Sequence, residues 1–246
     1  MVKLKEKLNI AAVGDVHSPK FLREFKAALS RMNVKPDLFL MSGDMIYKGK
    51  VQYFKAVVDE ILLQIGEVKI VSCFGNEEFE NIRGTLRKLF PQITFLDDEY
   101  VVLSINDFKL GIVGTQGSLL KPTRWQARNI PRIAAIYRER ISKVKNLLLE
   151  AKRRSDYVIL LMHYAPSFKV MEGENRSVYH WLGHPGYERV ILETRPNLVI
   201  YAHLHNANIL EYRLDNVRLL NSSLPARGEI LTVEVKAEKY GLLKFM

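Results

Sequence analysis

The stretch NIAAVGDVH, Asn9–His17, decides how the rest of the chain reads. Asn9–Val13 is a compact apolar run without alternation, the pattern of a strand buried on both faces. It breaks at Gly14 into an acid and an imidazole, Asp15 and His17. Open α/β sheets hold their ligands outside the carboxyl ends of their strands, so an apolar run that ends in such side chains reads as a strand delivering chemistry to a sheet edge.

Outward from this stretch the pattern repeats. Phe21–Met32 has helical apolar spacing, with Ser18 placed to cap it and Pro19 at its first position. Asp37–Met41 and Val68–Phe74 read as further strands, and Tyr53–Ile65 and Glu78–Phe90 as helices, a βαβαβα rhythm that predicts parallel strands. Beyond it, Tyr100–Ile105 and Lys109–Val113 read as a hairpin turning at Asn106-Asp107. A long helix, Ile133–Arg154, follows, then strand Tyr157–Met162, helix Tyr187–Thr194 and strand Asn197–Tyr201. The tail from Ala207 reads mostly as strand, with turns at Asp215-Asn216 and Ala226–Gly228. Two β-rich halves flanked by helices predict two stacked sheets with helices outside, in one domain spanning residues 1–246. Two polar, turn-rich segments interrupt the rhythm, about residues 116–131 and 167–185, and long irregular loops of this kind commonly act as lids.

Composition bounds the function. With 48% hydrophobic and 26% charged residues the chain can bury a core, and it is far from a disordered composition. Thirty-seven Lys and Arg against 27 Asp and Glu leave +10, which favours anionic partners such as nucleotides, nucleic acid or phosphorylated metabolites, although the charges are spread along the chain. A single cysteine, Cys73, excludes an internal disulfide. No apolar stretch approaches the roughly 20 residues that span a bilayer, and the basic start lacks a cleavage pattern, so a cytoplasmic protein without membrane contact is expected.

The polar residues fall at strand ends. Asp15 and His17 follow the first strand, Asp44 the second and Asn76 the third; His163 follows Tyr157–Met162, and His203 and His205 follow Asn197–Tyr201. Each has an ordinary reading alone: Asp15 and Asp44 as turn residues, His163 as a satisfied histidine, and Asn76 as the cap of the Glu78–Phe90 helix, with Glu77 and Glu78 complementing its dipole. Five strand ends carrying Asp, His and Asn together are not explained that way. Oxygen and imidazole donors without thiolates suit Mn, Fe, Zn or Co. Seven donors exceed one open site and suit two divalent ions sharing a carboxylate, an arrangement that clamps a phosphoryl group.

In order and spacing, GDVH (Gly14–His17), Gly43-Asp44 with Gly49, Gly75-Asn76-Glu77-Glu78, His163, and AHLH (Ala202–His205) resemble the motif set GDxH, GDxxxxG, GNH[DE], H, GHxH of the calcineurin-like metallophosphoesterase superfamily. The resemblance runs from about Asn9 to Asn206. It implies a four-layer α/β/β/α sandwich. It implies that Asp15, His17 and His205 hold one metal, that Asn76, His163 and His203 hold the other, and that Asp44 bridges them. It also implies hydrolysis of a phosphoester by a hydroxide between the ions, on a small molecule or nucleotide, with nucleic acid as a further candidate substrate.

Two positions depart from the motifs. Ala202 stands for a glycine, a small-for-small exchange, whereas Glu77 stands for a histidine that in the family assists the leaving oxygen. A carboxylate in solution is anionic at neutral pH, cannot donate a proton and repels phosphate. Asp44, Asn76 and Glu77 are therefore the expected catalytic positions, with diesters favoured over monoesters. A metal-holding interaction scaffold and a nuclease are the competing readings. For substrate contacts the turn-rich segments offer Arg124, Arg176 and His180, with Lys121, Arg128, Trp125, Tyr179 and Trp181 nearby and His184 as another histidine.

Overall fold

The computed structural model describes residues 7–105 and 108–236. Its first half runs β1 (Lys7–Val13), α1 (Leu22–Ser30), β2 (Leu38–Ser42), α2 (Phe54–Ile65), β3 (Lys69–Cys73), α3 (Glu80–Leu89), β4 (Ile93–Leu96), β5 (Glu99–Ile105) and β6 (Phe108–Thr115). The second half runs α4 (Arg124–Asn129), α5 (Ile133–Arg154), β7 (Tyr157–Met162), α6 (Gly186–Thr194), β8 (Leu198–Tyr201), β9 (Glu211–Leu214), β10 (Val217–Asn221), α7 (Leu224–Arg227) and β11 (Leu231–Lys236).

The strands form two mixed sheets, ordered β11-β1-β2-β3-β4 and β5-β6-β7-β8-β10-β9. β1 to β4 pair in parallel, as do β6, β7, β8 and β10, and the antiparallel partners sit at sheet edges. Successive strand residues face opposite ways, and the apolar runs divide accordingly. Leu8, Ile10 and Ala12 of β1 meet Ile159, Leu161 and Ile200 of β7 and β8 between the sheets. Ala11, Val13, Phe39 and Met41 face outward onto α1 and α2. Val158, Leu160 and Val199 face outward onto α5 and α6. The continuous apolar runs are thus strands covered on both faces, and the layers are α/β/β/α as expected.

The departures are local. α1 starts at Leu22, with Phe21 at its cap position and no side-chain cap. Ser18 does not cap it, since the helix begins only at Leu22; its backbone pairs with the β2 exit loop, donating to Met45 O at 2.9 Å and accepting from Tyr47 N–H at 3.1 Å. α3 starts at Glu80, so Asn76 caps no helix. β4 and α4 were not expected. α4 forms inside the supposedly irregular 116–131 segment because Thr123 and Gln126 make a capping box, Gln126 N–H donating to Thr123 Oγ1 and Thr123 N–H to Gln126 Oε1. The turn expected at Ala226–Gly228 is the end of α7, closed by Gly228. The β5–β6 hairpin forms, and its expected turn at Asn106-Asp107 lies outside the described residues. Among the described residues no helix is long and apolar enough to cross a membrane.

At the carboxyl ends of the parallel strands the two sheets are stitched together. Gly14 N–H donates to Ser222 O at 2.9 Å and Leu224 N–H to Gly14 O at 3.0 Å, while Ser42 and Ser222 share a hydroxyl hydrogen bond of 2.7 Å. The exits of β1, β2, β3, β7 and β8 therefore open at one place.

Candidate metal centre

The loops leaving those strands are short and strained. Asp15, His17, Asp44 and His203 all hold positive φ, between 42° and 69°. Non-glycine residues visit this region rarely, and such conformations gather at functional sites, each costing on the order of 1–3 kcal/mol. Close packing demands glycine beside them. A Cβ on Gly75 would stand 2.1 Å from Asp44 Oδ1, and one on Gly14 would stand 2.5 Å from the Ala202 methyl. Ala202 thus fills space against Gly14 and leaves the loop undisturbed.

The loops bring the sequence-derived residues together. Asp15, Asp44, His163 and His203 each offer an atom within 4.8 Å of the others, and Asp15, His17 and His205 form a second such group. Asp44 Oδ2 lies between the two, 3.7 Å from His17 Nε2 and 3.4 Å from His163 Nε2. Asp15 Oδ1 stands 3.4 Å from His205 Nε2 and 3.7 Å from His17 Nε2. Asn76 joins through its Oδ1, 3.1 Å from His163 Nε2.

Several of these side chains are pinned on one atom and free on the other. Glu77 N–H donates to Asp44 Oδ1 at 2.7 Å, leaving Oδ2 buried without a partner. His203 N–H donates to Asp15 Oδ2 at 2.8 Å, leaving Oδ1 likewise. Ser42 O lies 3.0 Å from His163 Nδ1, which orients the ring with Nε2 inward. His17 Nε2 and His205 Nε2 are also buried and unpartnered. Leaving buried polar atoms unsatisfied costs on the order of 1–3 kcal/mol each, and a cluster of them facing one another fits a divalent cation.

Electrostatics follow from that enclosure. Burial pushes the Asp15 carboxyl up, but His205 and the neighbouring imidazoles outweigh it and hold it below the usual range; His163 and His17 do the same for Asp44. Burial works against the His163 cation, yet Asp44 and Asp15 carry its pKa up to about 9. Burial and the His163 charge push His203 down to about 4. The pocket thus holds two anionic carboxylates.

Glu78 is the residue whose role the sequence reading missed. Its buried carboxylate accepts from Asp44, Met45 and Gly75 N–H at 2.7–2.8 Å and from Ile46 N–H at 3.2 Å. That clamp, rather than a helix dipole, occupies it, and it holds residues 75–79 out of α3. Burial and the Asp44 charge push its pKa up to about 7. Glu77, at the position of the motif histidine, turns its carboxylate onto Lys48 N–H, while its carbonyl accepts from Gly49 N–H at 2.9 Å.

The calcineurin-like phosphoesterase pattern matches residues 8–207. This chain belongs to that family. Comparison with curated protein sequences finds no match. Among solved structures, the phosphopantetheinyl hydrolase of Mycobacterium tuberculosis is similar with a TM-score of 0.67 at 12% identity, covering 92% of this chain and 95% of that one. The GAP50 anchor of the Plasmodium inner membrane complex aligns with a TM-score of 0.55 at 11% identity, covering 94% and 82%. The NAD nucleotidase of Haemophilus influenzae aligns with a TM-score of 0.55 at 15% identity, covering 94% of this chain and 53% of that one. At these identities the likeness is one of fold. Family membership and the Asp/His groups together support phosphoester hydrolysis at a divalent-metal site.

A cleft of about 1040 Å³ opens beside the centre and shares Asn76, Glu77 and His203 with it as lining. Arg124, Arg176 and His180 do not line it. Arg124 and Arg176 are exposed, and the His180 ring packs 4.4 Å from that of Trp181. Among the described residues the guanidiniums that line it are Arg83 and Arg140, which the sequence reading did not single out.

Proposed function

We propose that this member of the family is a dinuclear-metal phosphodiesterase. The observation carrying this reading is the set of buried, unpartnered atoms on Asp15, Asp44, His17 and His205, which face one another across the strand ends. Asp15, His17 and His205 would hold one ion, Asn76, His163 and His203 the other, and Asp44 would serve both. Two divalent ions there would supply charge neutralisation of the phosphoester and a water of lowered pKa.

The chain's own contribution is positioning. Glu77 N–H and His203 N–H fix the two carboxylates, Ser42 O fixes His163, and Glu78 locks the β2 and β3 exit loops to each other. The preference for diesters rests on Glu77. Its carboxylate, held by Lys48 N–H, stands where the motif has an imidazole, so this position offers a carboxylate and no imidazole donor beside a phosphate, and side-chain carboxylates are ordinarily anionic at neutral pH. A diester carries one charge and a monoester up to two, so the monoester meets the greater repulsion.

The test is hydrolysis of an aryl phosphodiester and the matching monoester with Mn(II), repeated with Asp44→Asn. Metal- and Asp44-dependent turnover, faster on the diester, is expected; its absence sinks the reading. The absence of an imidazole donor at Glu77 favours a second reading, a metal-holding scaffold, which requires bound metal with no turnover of either ester.

A further inference from the structure

The cleft beside the candidate centre has two parts of different character. Its lining at Asn76 and His203 meets the Asp/His groups. Another part of its lining is apolar: half-buried Ile130 and Ile136, backed by buried Leu119, Ile133 and Tyr137, from the segment leading into α5 and from the first turns of that helix. Phe79 and Trp125 also line it, yet they stay 46% and 66% exposed. Large aromatic surface left open at the mouth of an apolar cleft is surface a ligand would cover.

Charge narrows the ligand. Among the described lining residues the guanidinium cations are Arg83 and Arg140, and both are occupied within the protein. Arg83 Nη1 donates to both oxygens of Asp97 at 2.8 and 3.0 Å, and its Nη2 donates to Gln116 Oε1 at 3.0 Å. Arg140 Nε donates to Asp98 at 2.8 Å, and its Nη1 to Gly117 O at 2.8 Å. Glu77, Glu78 and Glu80 line the cleft as well, so these five carboxylates outnumber the two guanidiniums. A chain carrying +10 overall has thus lined this cleft with surplus acid. A second phosphate placed along it would find acid and hydrocarbon rather than a free cation.

From this we infer, resting on the phosphoesterase reading, that the substrate's non-transferred group is an uncharged apolar or aromatic moiety seated against Trp125 and the Leu119–Tyr137 wall. Esters bearing a second phosphate, nucleic acid among them, are disfavoured. The ester head belongs beside Asn76 and His203, and the apolar wall selects what is attached to it.

Both tryptophans of the chain, Trp125 and Trp181, line the cleft, so intrinsic fluorescence reports its occupancy without catalysis. The Mn(II)-loaded protein is titrated with dimethyl phosphate, dibutyl phosphate and ADP. Each methylene buried contributes about 0.8 kcal/mol, so dibutyl phosphate is expected to bind at least about tenfold tighter than dimethyl phosphate. It is also expected to bind tighter than ADP. Ile136 is only half-buried, and Ile136→Asp should bring the dibutyl-to-dimethyl ratio towards one. Equal affinities for the two diesters, tighter binding of ADP, an unchanged ratio in Ile136→Asp, or no fluorescence change with any probe overturns the inference. Hydrolysis of methyl 4-nitrophenyl phosphate, followed in parallel, separates the two readings. Turnover without the binding order removes only the apolar preference, and the binding order without turnover removes only the catalytic reading.

Discussion

The strand-end centre and the cleft beside it are built on opposite principles. In the centre, Asp15 and Asp44 are pinned through one oxygen by a backbone amide and left bare at the other. In the cleft, Arg83 and Arg140 are matched by Asp97 and Asp98 and by an amide or carbonyl oxygen. Unsatisfied polar atoms inside a protein are costly and persist where something else completes them, whereas satisfied charges hold a wall in shape. The contrast separates where the chemistry would happen from what chooses the molecule.

Four substitutions break or sharpen that contrast. The largest effect is expected at the bare atoms: Asp44→Asn should lower kcat/KM on an aryl diester by about 10³-fold or more, because it removes the charge facing both candidate groups. Retention of activity within tenfold would mean that Asp44 is not at the heart of the centre. Next comes the clamp beneath it. Glu78→Ala strands four amide N–H groups and should cost about 3 kcal/mol of unfolding free energy in urea titrations, to be checked alongside metal content. On the cleft side, Arg140→Ala leaves Asp98 without its guanidinium and should cost about 2 kcal/mol in the same titration, with diester kcat less affected than KM. The smallest effect is a gain. Glu77→His should raise monoester kcat/KM by about tenfold, through a proton donor where a carboxylate stood. An unchanged monoester rate would show that leaving-group assistance does not limit this chain.

The same contrast explains what the sequence disclosed. Asp15, His17, Asp44, His163, His203 and His205 were legible because each follows an apolar strand within a few residues, so a linear pattern carries a spatial fact. The two-faced burial of β1, β2 and β7 was legible for the same reason. Glu78 was not, since its clamp joins loops whose members are 32–34 residues apart and its neighbours in sequence suggest only a helix start. Nor were Arg83 and Arg140. Their partners lie 14 and 42 residues away, and on a helix their spacing is that of any solvated face. Arg124 and Arg176 lie outside the cleft lining, because residue type alone does not say which way a turn-rich segment directs an arginine. Ser18 misled as a cap because its backbone is drawn into pairing with the β2 exit loop and the helix starts only at Leu22.

The seam at Gly14 bears on how the molecule comes into being. β1 lies between β2 and β11, with Ile10 opposite Val233, and the loop carrying Asp15 is tied through Gly14 to Ser222 and Leu224. During synthesis, which proceeds from the amino end, the first of the motif loops therefore waits for a segment made more than 200 residues later. Contacts of such long range form late and slow folding. A nascent chain stalled before Ser222 would carry all seven candidate ligands and still lack one of the two straps on the loop of the first two, leaving the β2 exit loop alone to hold Asp15 and His17.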